Sequence, residues 1–218
     1  DDREVGIYGA AFKIIETLGT VPFMLAASAF PILARAASTD RARLRFASSK
    51  MLQMAIVAGV PLGIGLMIAA PFAVSVIGGP KFADSVVPLQ IHAMGMLTTF
   101  IVGTGSLVLL AVERFRELLT ANLIAAAVSA GLTIWLGAKY AAEGAAIATF
   151  SAECVLAAGY LIYMAKEDSG LLPPLSAVVR TLPGAAAMLA VWLLVPTPPL
   201  LTSAIAGALF VPIAFACG

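Results

Sequence analysis

Charged residues are scarce in this sequence. Asp, Glu, Lys and Arg make up 11% of the 218 residues, and 61% are hydrophobic, whereas soluble domains carry about 25% charged residues. No charged residue occurs in four long stretches, over residues 51–80, 85–112, 118–138 and 181–218. About twenty apolar residues in a helix are enough to cross the hydrocarbon layer of a bilayer. The scarcity of charge therefore excludes a soluble globular protein and predicts an integral membrane protein of several helices.

Signatures of common enzymes and cofactor sites are also missing. The sequence contains no GxxxxGK[ST] phosphate loop and no HExxH, GxSxG, CxxC or DxD motif. Its two cysteines, Cys154 and Cys217, lie in apolar segments and make neither a disulfide framework nor a metal site. The net charge of +1 gives no indication of a nucleic-acid partner. We therefore predict a protein that is not an enzyme, with no catalytic residue, cofactor or metal, and with no ATP site to drive transport.

The hydrophobic segments predict an all-α fold, a polytopic transmembrane helix bundle that forms a single transmembrane domain over residues 1–218. Strands are excluded because open sheet edges cannot face lipid, and because the uncharged stretches lack the two-residue alternation of a barrel. Seven spans are predicted, at about 5–34, 52–78, 87–112, 118–138, 144–165, 176–195 and 199–217. Prolines recur inside these spans, and kinked helices often line cavities in transporters. The chain has no signal peptide at Asp1, and we expect it to be cut from a longer protein.

Lysine and arginine residues predict the orientation of these spans. With seven spans, the loops on one side hold nine such residues and the loops on the other side hold three. The side with nine is expected to be cytoplasmic by the positive-inside rule. The N-terminus then lies outside the inner (cytoplasmic) membrane, and the C-terminus lies in the cytoplasm. Residues 35–50 hold five of the nine and are predicted to form a cytoplasmic loop, which either lies on anionic lipid or only sets the topology.

Three charged residues fall inside predicted spans, where a charge is costly and suggests a function by default. Lys13 and Glu16 lie three residues apart in the first span and therefore share one helix face. They either line a substrate cavity or form a structural pair that joins helices. Glu153, near the middle of the fifth span, is interpreted as lining a cavity or joining helices, and in a cavity it would contact substrate or carry a proton. The single histidine, His92, has no partner for a metal site and is interpreted as a packed residue.

Four segments resemble a known family of membrane transporters. Residues 5–34 have a Gly-hydrophobic-Tyr-small-Ala opening and a small-Phe-Pro ending, and residues 76–91 have a Gly-x-x-aromatic loop before a Leu-Gln helix start. Residues 109–122 resemble a cytoplasmic turn where the family usually has Gly-Arg and this chain has Glu113-Arg114. Residues 140–153 resemble a Gly-x-x-Gly-Ala-Ala-Ile-Ala run ending in Ser-x-Glu, with Ala141 in place of the first Gly. Their order and spacing are similar to those of polysaccharide exporters of the multidrug/oligosaccharidyl-lipid/polysaccharide flippase superfamily.

The resemblance implies a transporter that moves lipid-linked oligosaccharide, a sugar repeat unit on undecaprenyl pyrophosphate, from the cytoplasmic to the outer leaflet. It also implies two helix bundles around a central cavity. This chain would hold the C-terminal bundle in residues 1–165 and a trailing transmembrane hairpin in residues 166–218. Its partners would be the lipid bilayer, the lipid-linked oligosaccharide and the missing N-terminal bundle of the same protein. By the same resemblance, Lys13 would meet the pyrophosphate or acidic sugars. Glu153 corresponds to a glutamate of the family pattern and would be a cavity or bundle-packing residue.

Three other classes of protein stay open. A cation-coupled drug antiporter of the same superfamily would need an acidic cluster, for which Glu16 and Glu153 are the candidates. A glycan polymerase or ligase would need a large outer loop with Arg or His, but the loops near Lys81 and Lys139 are short. A membrane scaffold without transport activity would require Lys13, Glu16 and Glu153 to pair with one another.

Overall fold

The computed structural model describes residues 2–179 and 181–194, together with residues 207 and 210. Within these residues every regular element is helical and no strand is present, which confirms the predicted all-α fold. The α-helices are α1 (Asp2–Ser28), α2 (Phe30–Thr39), α3 (Arg41–Ile77), α4 (Val86–Met94), α5 (Met96–Ala111), α6 (Phe115–Glu167), α7 (Leu175–Val179) and α8 (Thr181–Leu194). Short 3₁₀ helices occupy Pro80–Ser85 and Ser169–Leu171.

Two of the predicted spans contain breaks. The first is divided between α1 and α2, with Pro31 in the first turn of α2, where the missing N–H of proline is not needed. The third is divided between α4 and α5, and the segment Pro80–Met94, which ends with α4, is bent by 46° relative to α5. By length and apolar composition, α3 and α6 could each cross a bilayer, and the bent pair would make one further span within the described residues. The count of seven spans stays a prediction.

The prediction of a loop over residues 35–50 is wrong, because these residues continue α2 and α3 on either side of Asp40. The Asp40 backbone is extended, and its Oδ1 accepts a hydrogen bond from the Arg43 backbone N–H at 3.0 Å, which caps α3. Leu44 is fully buried, and the buried Ser48 hydroxyl donates to the Leu171 carbonyl at 2.8 Å. Tertiary packing therefore extends α3 well beyond its apolar part.

The helix α6 folds back on itself at Ala141. Asn122 Nδ2 donates to Tyr160 Oη at 2.7 Å, and the Thr120 and Tyr163 hydroxyls lie 3.3 Å apart. In both pairs the two residues lie at similar distances along the chain from Ala141, as expected for two antiparallel helices. The first limb (residues 115–140) and the second limb (residues 142–167) correspond to the predicted fourth and fifth spans.

Backbone geometry at Glu113 and Ala141 is of a kind that favours glycine. Ala141 has φ 47° and ψ −124°, and Glu113 has φ 60°. Residues with a side chain rarely adopt positive φ, whereas glycine adopts it readily. At Gly144 a Cβ would lie 2.2 Å from the Leu136 carbonyl oxygen. The close return of the second limb therefore requires glycine at that position.

One end of the bundle holds a network of ion pairs. Arg41 at the start of α3 and Arg114 before α6 both bind the carboxylate of Glu167, the last residue of α6. Arg45 Nε lies 2.6 Å from Asp168 Oδ2. Segments near residues 41, 114 and 168 therefore meet at a single end.

The other end gathers the remaining connections of the described bundle. Arg3 Nη2 lies 2.6 Å from Asp84 Oδ2, and the Ala142 backbone N–H donates to Glu4 Oε2 at 3.3 Å. The start of α1, the 3₁₀ helix before α4 and the turn of α6 are therefore close together. Successive connections along the chain therefore alternate between the two ends, as expected for helices that cross a bilayer. Which end faces the cytoplasm stays a prediction.

The helix α8 packs against α3 outside the main bundle. Met188 and Phe210 are fully buried, and partly buried residues of α3, including Val60 and Ile64, pack against them. A Cβ at Gly184 would lie 2.7 Å from the Phe210 ring. Apart from residues 207 and 210, the predicted seventh span at 199–217 lies outside the described residues.

Candidate functional site

A cavity of about 780 Å³ lies between α1, α3, α5 and the second limb of α6. Most of its wall is apolar, with Phe12 and Phe23 from α1, Met54 from α3 and Phe100 from α5. The polar residues of its lining are Glu16, Thr20, Thr99, Thr104, Ser106, Glu153 and Tyr160. A largely apolar cavity with a few fixed polar groups is the usual form of a small-molecule site.

Glu153 occupies the wall that the second limb of α6 contributes. Its Oε2 lies 3.0 Å from the Thr99 hydroxyl and 3.3 Å from the Thr98 hydroxyl, both on the first turn of α5. A Cβ at Gly95 would lie only 3.1 Å from the same oxygen, so α5 begins in direct contact with this carboxyl group. The predicted fifth-span glutamate is therefore both a cavity residue and a contact between helices.

Lys13 and Glu16 form the ion pair that their spacing predicts. Lys13 Nζ lies 2.8 Å from Glu16 Oε2, and the two side chains are 75% and 53% exposed. Glu16 lines the cavity, whereas Lys13 is not part of its lining. The structure therefore brings Glu16 and Glu153 to one cavity and places Lys13 beside it, on an open face of α1.

Tyr160 fixes another part of the cavity wall. It is almost completely buried, and its hydroxyl accepts a hydrogen bond from Asn122 Nδ2. A Cβ at Gly105 of α5 would lie 3.3 Å from Tyr160 Cβ, so the two helices are in close contact here. The Tyr160 ring therefore joins both limbs of α6 to α5 below the open part of the cavity.

His92 is packed, as predicted, in an aromatic cluster between α1 and α4. The side chain is 5% exposed, and its ring centre lies 5.5 Å from Tyr8 and 5.9 Å from Phe12. The Nε2 atom is buried and has no hydrogen-bond partner among the described residues. Tyr8 is held in turn by the Thr149 hydroxyl at 2.9 Å. The described residues contain no group of three His, Cys, Asp or Glu residues suited to hold a metal ion.

The ion-pair end has a different electrostatic character from the cavity. The Glu167 and Asp168 side chains are only 11% and 13% exposed, and each is bound by arginine. The hydrogen bond from Arg45, with a second from the Gly170 backbone N–H, holds the pKa of Asp168 below its ordinary value of 3.8. The hydrogen bond with Glu167 raises the pKa of Arg114 above its ordinary value. All of these groups are therefore charged and paired at neutral pH.

Sequence reasoning missed several residues of both regions. Thr98 and Thr99 lie in an uncharged stretch, and hydroxyl groups there have no pattern that predicts a carboxyl partner. Gly95 gave no signal of a break, because it stands between apolar residues without a proline. Glu167 and Asp168 follow the predicted fifth span and resemble any polar loop. Only the folded chain brings Glu167 to Arg41 and Arg114, and Asp168 to Arg45, more than fifty residues away in sequence.

Comparison with known proteins gives a likeness to solved structures. No protein-family description matches the sequence, and no curated protein matches it. A solved structure of lipid II flippase MurJ in its inward closed conformation matches 99% of this chain with a TM-score of 0.76 and 16% sequence identity. The match covers 49% of that protein, so this chain spans about half of its length. At this identity the likeness establishes the fold.

The fold is therefore a bundle of helices similar to about half of MurJ. The protein that shares this fold is a flippase by its description. The membrane-spanning character of the helices also agrees with a location in the lipid bilayer.

Proposed function

We propose that this chain forms one bundle of a membrane transporter that translocates lipid-linked oligosaccharide across the cytoplasmic membrane. The substrate would be an undecaprenyl-pyrophosphate-linked repeat unit used in polysaccharide biosynthesis. The observation that carries the proposal is the cavity of about 780 Å³, set in a fold similar to part of a lipid II flippase. The sequence resemblance to polysaccharide exporters supports the same class of substrate.

The composition of the cavity suits an amphiphilic substrate. Its apolar wall can accommodate isoprenoid or shield a sugar face, and its few hydroxyl and carboxyl groups can hydrogen-bond to sugar hydroxyls. Thr20, Ser106 and Glu153 are such groups, contributed by three different helices. A cavity without polar groups would give no such specificity for a glycan.

Each candidate residue has a proposed role in this transport. Lys13, on the open face beside the cavity, would meet the pyrophosphate, because a lysine ammonium binds phosphate as a point charge. Glu16 holds Lys13 at 2.8 Å and would release it when the phosphate binds. Glu153 would contact the substrate or carry a proton within the cavity.

A second bundle would complete the cavity. Residues 1–165 would form the C-terminal bundle, residues 166–218 a trailing hairpin, and the N-terminal bundle of the same protein would face the open side. The 53% exposure of Glu16, although it lines the cavity, supports such a partner on this face. The ion-pair end of the bundle, with Arg41, Arg45 and Arg114, would face the cytoplasm. The N-terminus of this chain would then lie outside and its C-terminus inside.

A cation-coupled drug antiporter is the second candidate function. Glu16 and Glu153 line the same cavity, and an acidic pair in an apolar cavity could bind protons, sodium or cationic drugs. The pairing of Glu16 with Lys13 weighs against it, because Lys13 already neutralises one of the two carboxylates.

Deletion of the full-length gene in its host tests the two candidates against each other. We expect loss of surface polysaccharide together with accumulation of lipid-linked repeat units inside the cell. A wild-type copy should restore export, whereas Lys13→Ala should be expressed normally and restore it only in part. Normal surface glycan with increased sensitivity to cationic drugs would instead favour the antiporter. Full restoration by Lys13→Ala would remove Lys13 from the substrate path.

A further inference from the structure

The break between α4 and α5 adjoins the helix that supplies one wall of the cavity. Of the two helices, α5 provides six lining residues and α4 provides none. The helices meet at Gly95 with a bend of 46°, so a change in the bend moves α5 relative to the rest of the wall. A residue that fixes this bend therefore also fixes the cavity.

The second limb of α6 packs directly against the break. A Cβ at Gly95 would lie 3.1 Å from Glu153 Oε2, 3.1 Å from the His92 carbonyl oxygen and 3.2 Å from Phe150 Cδ2. A side chain at position 95 would therefore force these neighbours to shift by a few tenths of an ångström. The carboxyl group of Glu153 thus lies close beside the break.

Two hydroxyl groups connect the same carboxyl group to the α5 backbone. Thr98 Oγ1 lies 2.7 Å from the Gly95 carbonyl oxygen and 3.3 Å from Glu153 Oε2. Thr99 Oγ1 lies 3.1 Å and 3.0 Å from the same two oxygens. Each hydroxyl has a single hydrogen to donate, so the two threonines must be shared between the carbonyl and the carboxyl group.

The protonation state of Glu153 decides how this sharing is resolved. An ionised carboxylate only accepts, so Thr99 donates to it and Thr98 donates to the Gly95 carbonyl. A protonated carboxyl group can donate to Thr99 Oγ1, and the Thr99 hydrogen then turns to the Gly95 carbonyl, where it shares the oxygen with the Thr99 backbone N–H and the Thr98 hydroxyl. Threonine hydroxyls that donate to a carbonyl one turn back tend to bend a helix. The protonated arrangement therefore favours the sharper bend.

No fixed cation locks Glu153 in one state. Within the described ranges, Glu153 takes part in none of the salt bridges. His92 on α4 packs on the rings of α1, and Lys13 on α1 is bound to Glu16. The packed helix α4 carries one titratable group, His92, and α5 carries none. On α1 the titratable groups are Asp2, Arg3, Glu4, Tyr8, Lys13 and Glu16, and on the two limbs of α6 they are Arg116, Glu117, Lys139, Tyr140, Glu143, Cys154, Tyr160, Tyr163, Lys166 and Glu167.

We propose that Glu153 is a positioning residue that sets the α4–α5 bend through Thr98, Thr99 and Gly95, and that gain of a proton at Glu153 sharpens this bend. The proposal rests on the transport function above, because it gives that function a way to reshape its cavity. It adds a role for Glu153 that does not require contact with the substrate.

The bend can be measured directly by electron–electron double resonance on the full-length protein in lipid nanodiscs. Spin labels at Val87→Cys in α4 and Leu110→Cys in α5 would flank the break, since both side chains are partly exposed. Cys154 and Cys217 would be replaced by alanine. We expect the distance between the two labels to shorten by about 1–3 Å at acidic pH. This range assumes a modest sharpening of the bend and helix segments of about 1.5 Å rise per residue between Gly95 and each label.

Variants assign this change to Glu153. Glu153→Gln should give the short distance at every pH, because its amide can both donate and accept. Thr99→Val should reduce the pH-dependent change, and Glu143→Gln, at an exposed glutamate of the same limb, should behave as wild type. A pH-dependent change that persists in Glu153→Gln, or a wild-type distance that does not depend on pH, would overturn the proposal.

This measurement is independent of the proposed substrate. If the bend responds to pH as expected but lipid-linked oligosaccharide is not moved, the proposed role of Glu153 stands and the flippase assignment fails. If oligosaccharide is moved by wild type but the label distance never changes, the flippase assignment stands and the proposed role of Glu153 fails.

Discussion

Glu153 and Glu167 lie on the same limb of α6, but their surroundings differ. Glu167 accepts hydrogen bonds from Arg41 and Arg114 at the end of the bundle. Glu153 lines the cavity, and among the described residues its hydrogen-bond partners are the hydroxyls of Thr98 and Thr99. A carboxylate with two arginines has one stable state, whereas a carboxyl group with hydroxyl partners can exist in two. The comparison therefore distinguishes Glu167, which holds helices together, from Glu153, whose carboxyl group can exist with or without a proton.

Exposure also limits what each region contributes to stability. Arg41 and Arg114 are 57% and 47% exposed, so solvent screens their attraction for Glu167. The value of this network is therefore mainly geometric, because it joins α3 to both ends of α6. Glu153 lies in an apolar cavity, where an unpaired charge is costly and is kept for function more often than for stability.

The largest expected effect is on transport by Glu153→Gln. The amide keeps the size of the side chain but cannot alternate between charged and neutral forms. We expect export of surface glycan to fall about tenfold or more, which is about 1.4 kcal/mol of lost transition-state stabilisation. Complementation of the deletion strain measures it, with expression and thermal stability expected to match wild type.

Glu143→Gln is the matched control, because Glu143 is an exposed glutamate of the same limb. Its export should equal that of wild type. Equal export by Glu153→Gln and Glu143→Gln would show that Glu153 has no special role in transport.

Ala141→Gly should stabilise the hairpin that carries both carboxylates. The dihedral angles of Ala141 are those of the first central residue of a type II′ turn, where glycine is favoured. Removal of the strain should raise the free energy of unfolding by about 1–2 kcal/mol. Thermal unfolding of the purified protein in detergent measures this. A loss of stability would show that the turn does not have this conformation.

Glu167→Gln should lower stability and leave transport unchanged. The amide keeps one acceptor but loses the charge that binds Arg41 and Arg114, so we expect a cost of about 1 kcal/mol after solvent screening. The same unfolding measurement applies, on the Ala141→Gly background if the wild type is marginal. If Glu167→Gln reduced export as strongly as Glu153→Gln, Glu167 would not be a purely structural residue, and the comparison would fail.

The smallest effect is a pH dependence of stability at the ion-pair end. The pKa of Asp168 lies below its ordinary value of 3.8 in the folded protein. The stability it contributes is therefore fully present above that value and is lost as the pH falls further. The melting temperature measured against pH should fall less steeply in acid for Asp168→Asn than for wild type. If the melting temperatures of the two proteins depended on pH in the same way in acid, the Arg45–Asp168 contact would be contradicted.

Much of the fold could be predicted from the sequence because the bilayer restricts what a hydrophobic segment can form. Uncharged stretches predicted the helices, and the alternation of basic loops predicted which connections share an end. The failure at residues 35–50 has a physical cause. Burial of Leu44 and the Ser48 hydrogen bond stabilise a helix that local charge did not suggest.

The candidate site was only partly predictable. Glu153 and Glu16 could be found because a charge inside a span is rare, and both line the cavity. Thr98, Thr99 and Gly95 could not, since their role depends on a contact between helices more than fifty residues apart in sequence. The sequence showed Glu113 and Ala141 where the resembled pattern has glycine. Only the structure showed that the backbone has a positive φ at both positions, which is why glycine is favoured there.

Reconstitution of the full-length protein into vesicles tests the central claim most directly. The measurement is the rate at which fluorescent lipid-linked oligosaccharide moves between leaflets, for wild type, Glu153→Gln and Glu167→Gln. The account predicts movement by wild type and Glu167→Gln and at least about tenfold slower movement by Glu153→Gln. Wild-type vesicles no faster than protein-free vesicles, or Glu153→Gln as fast as wild type, would contradict it.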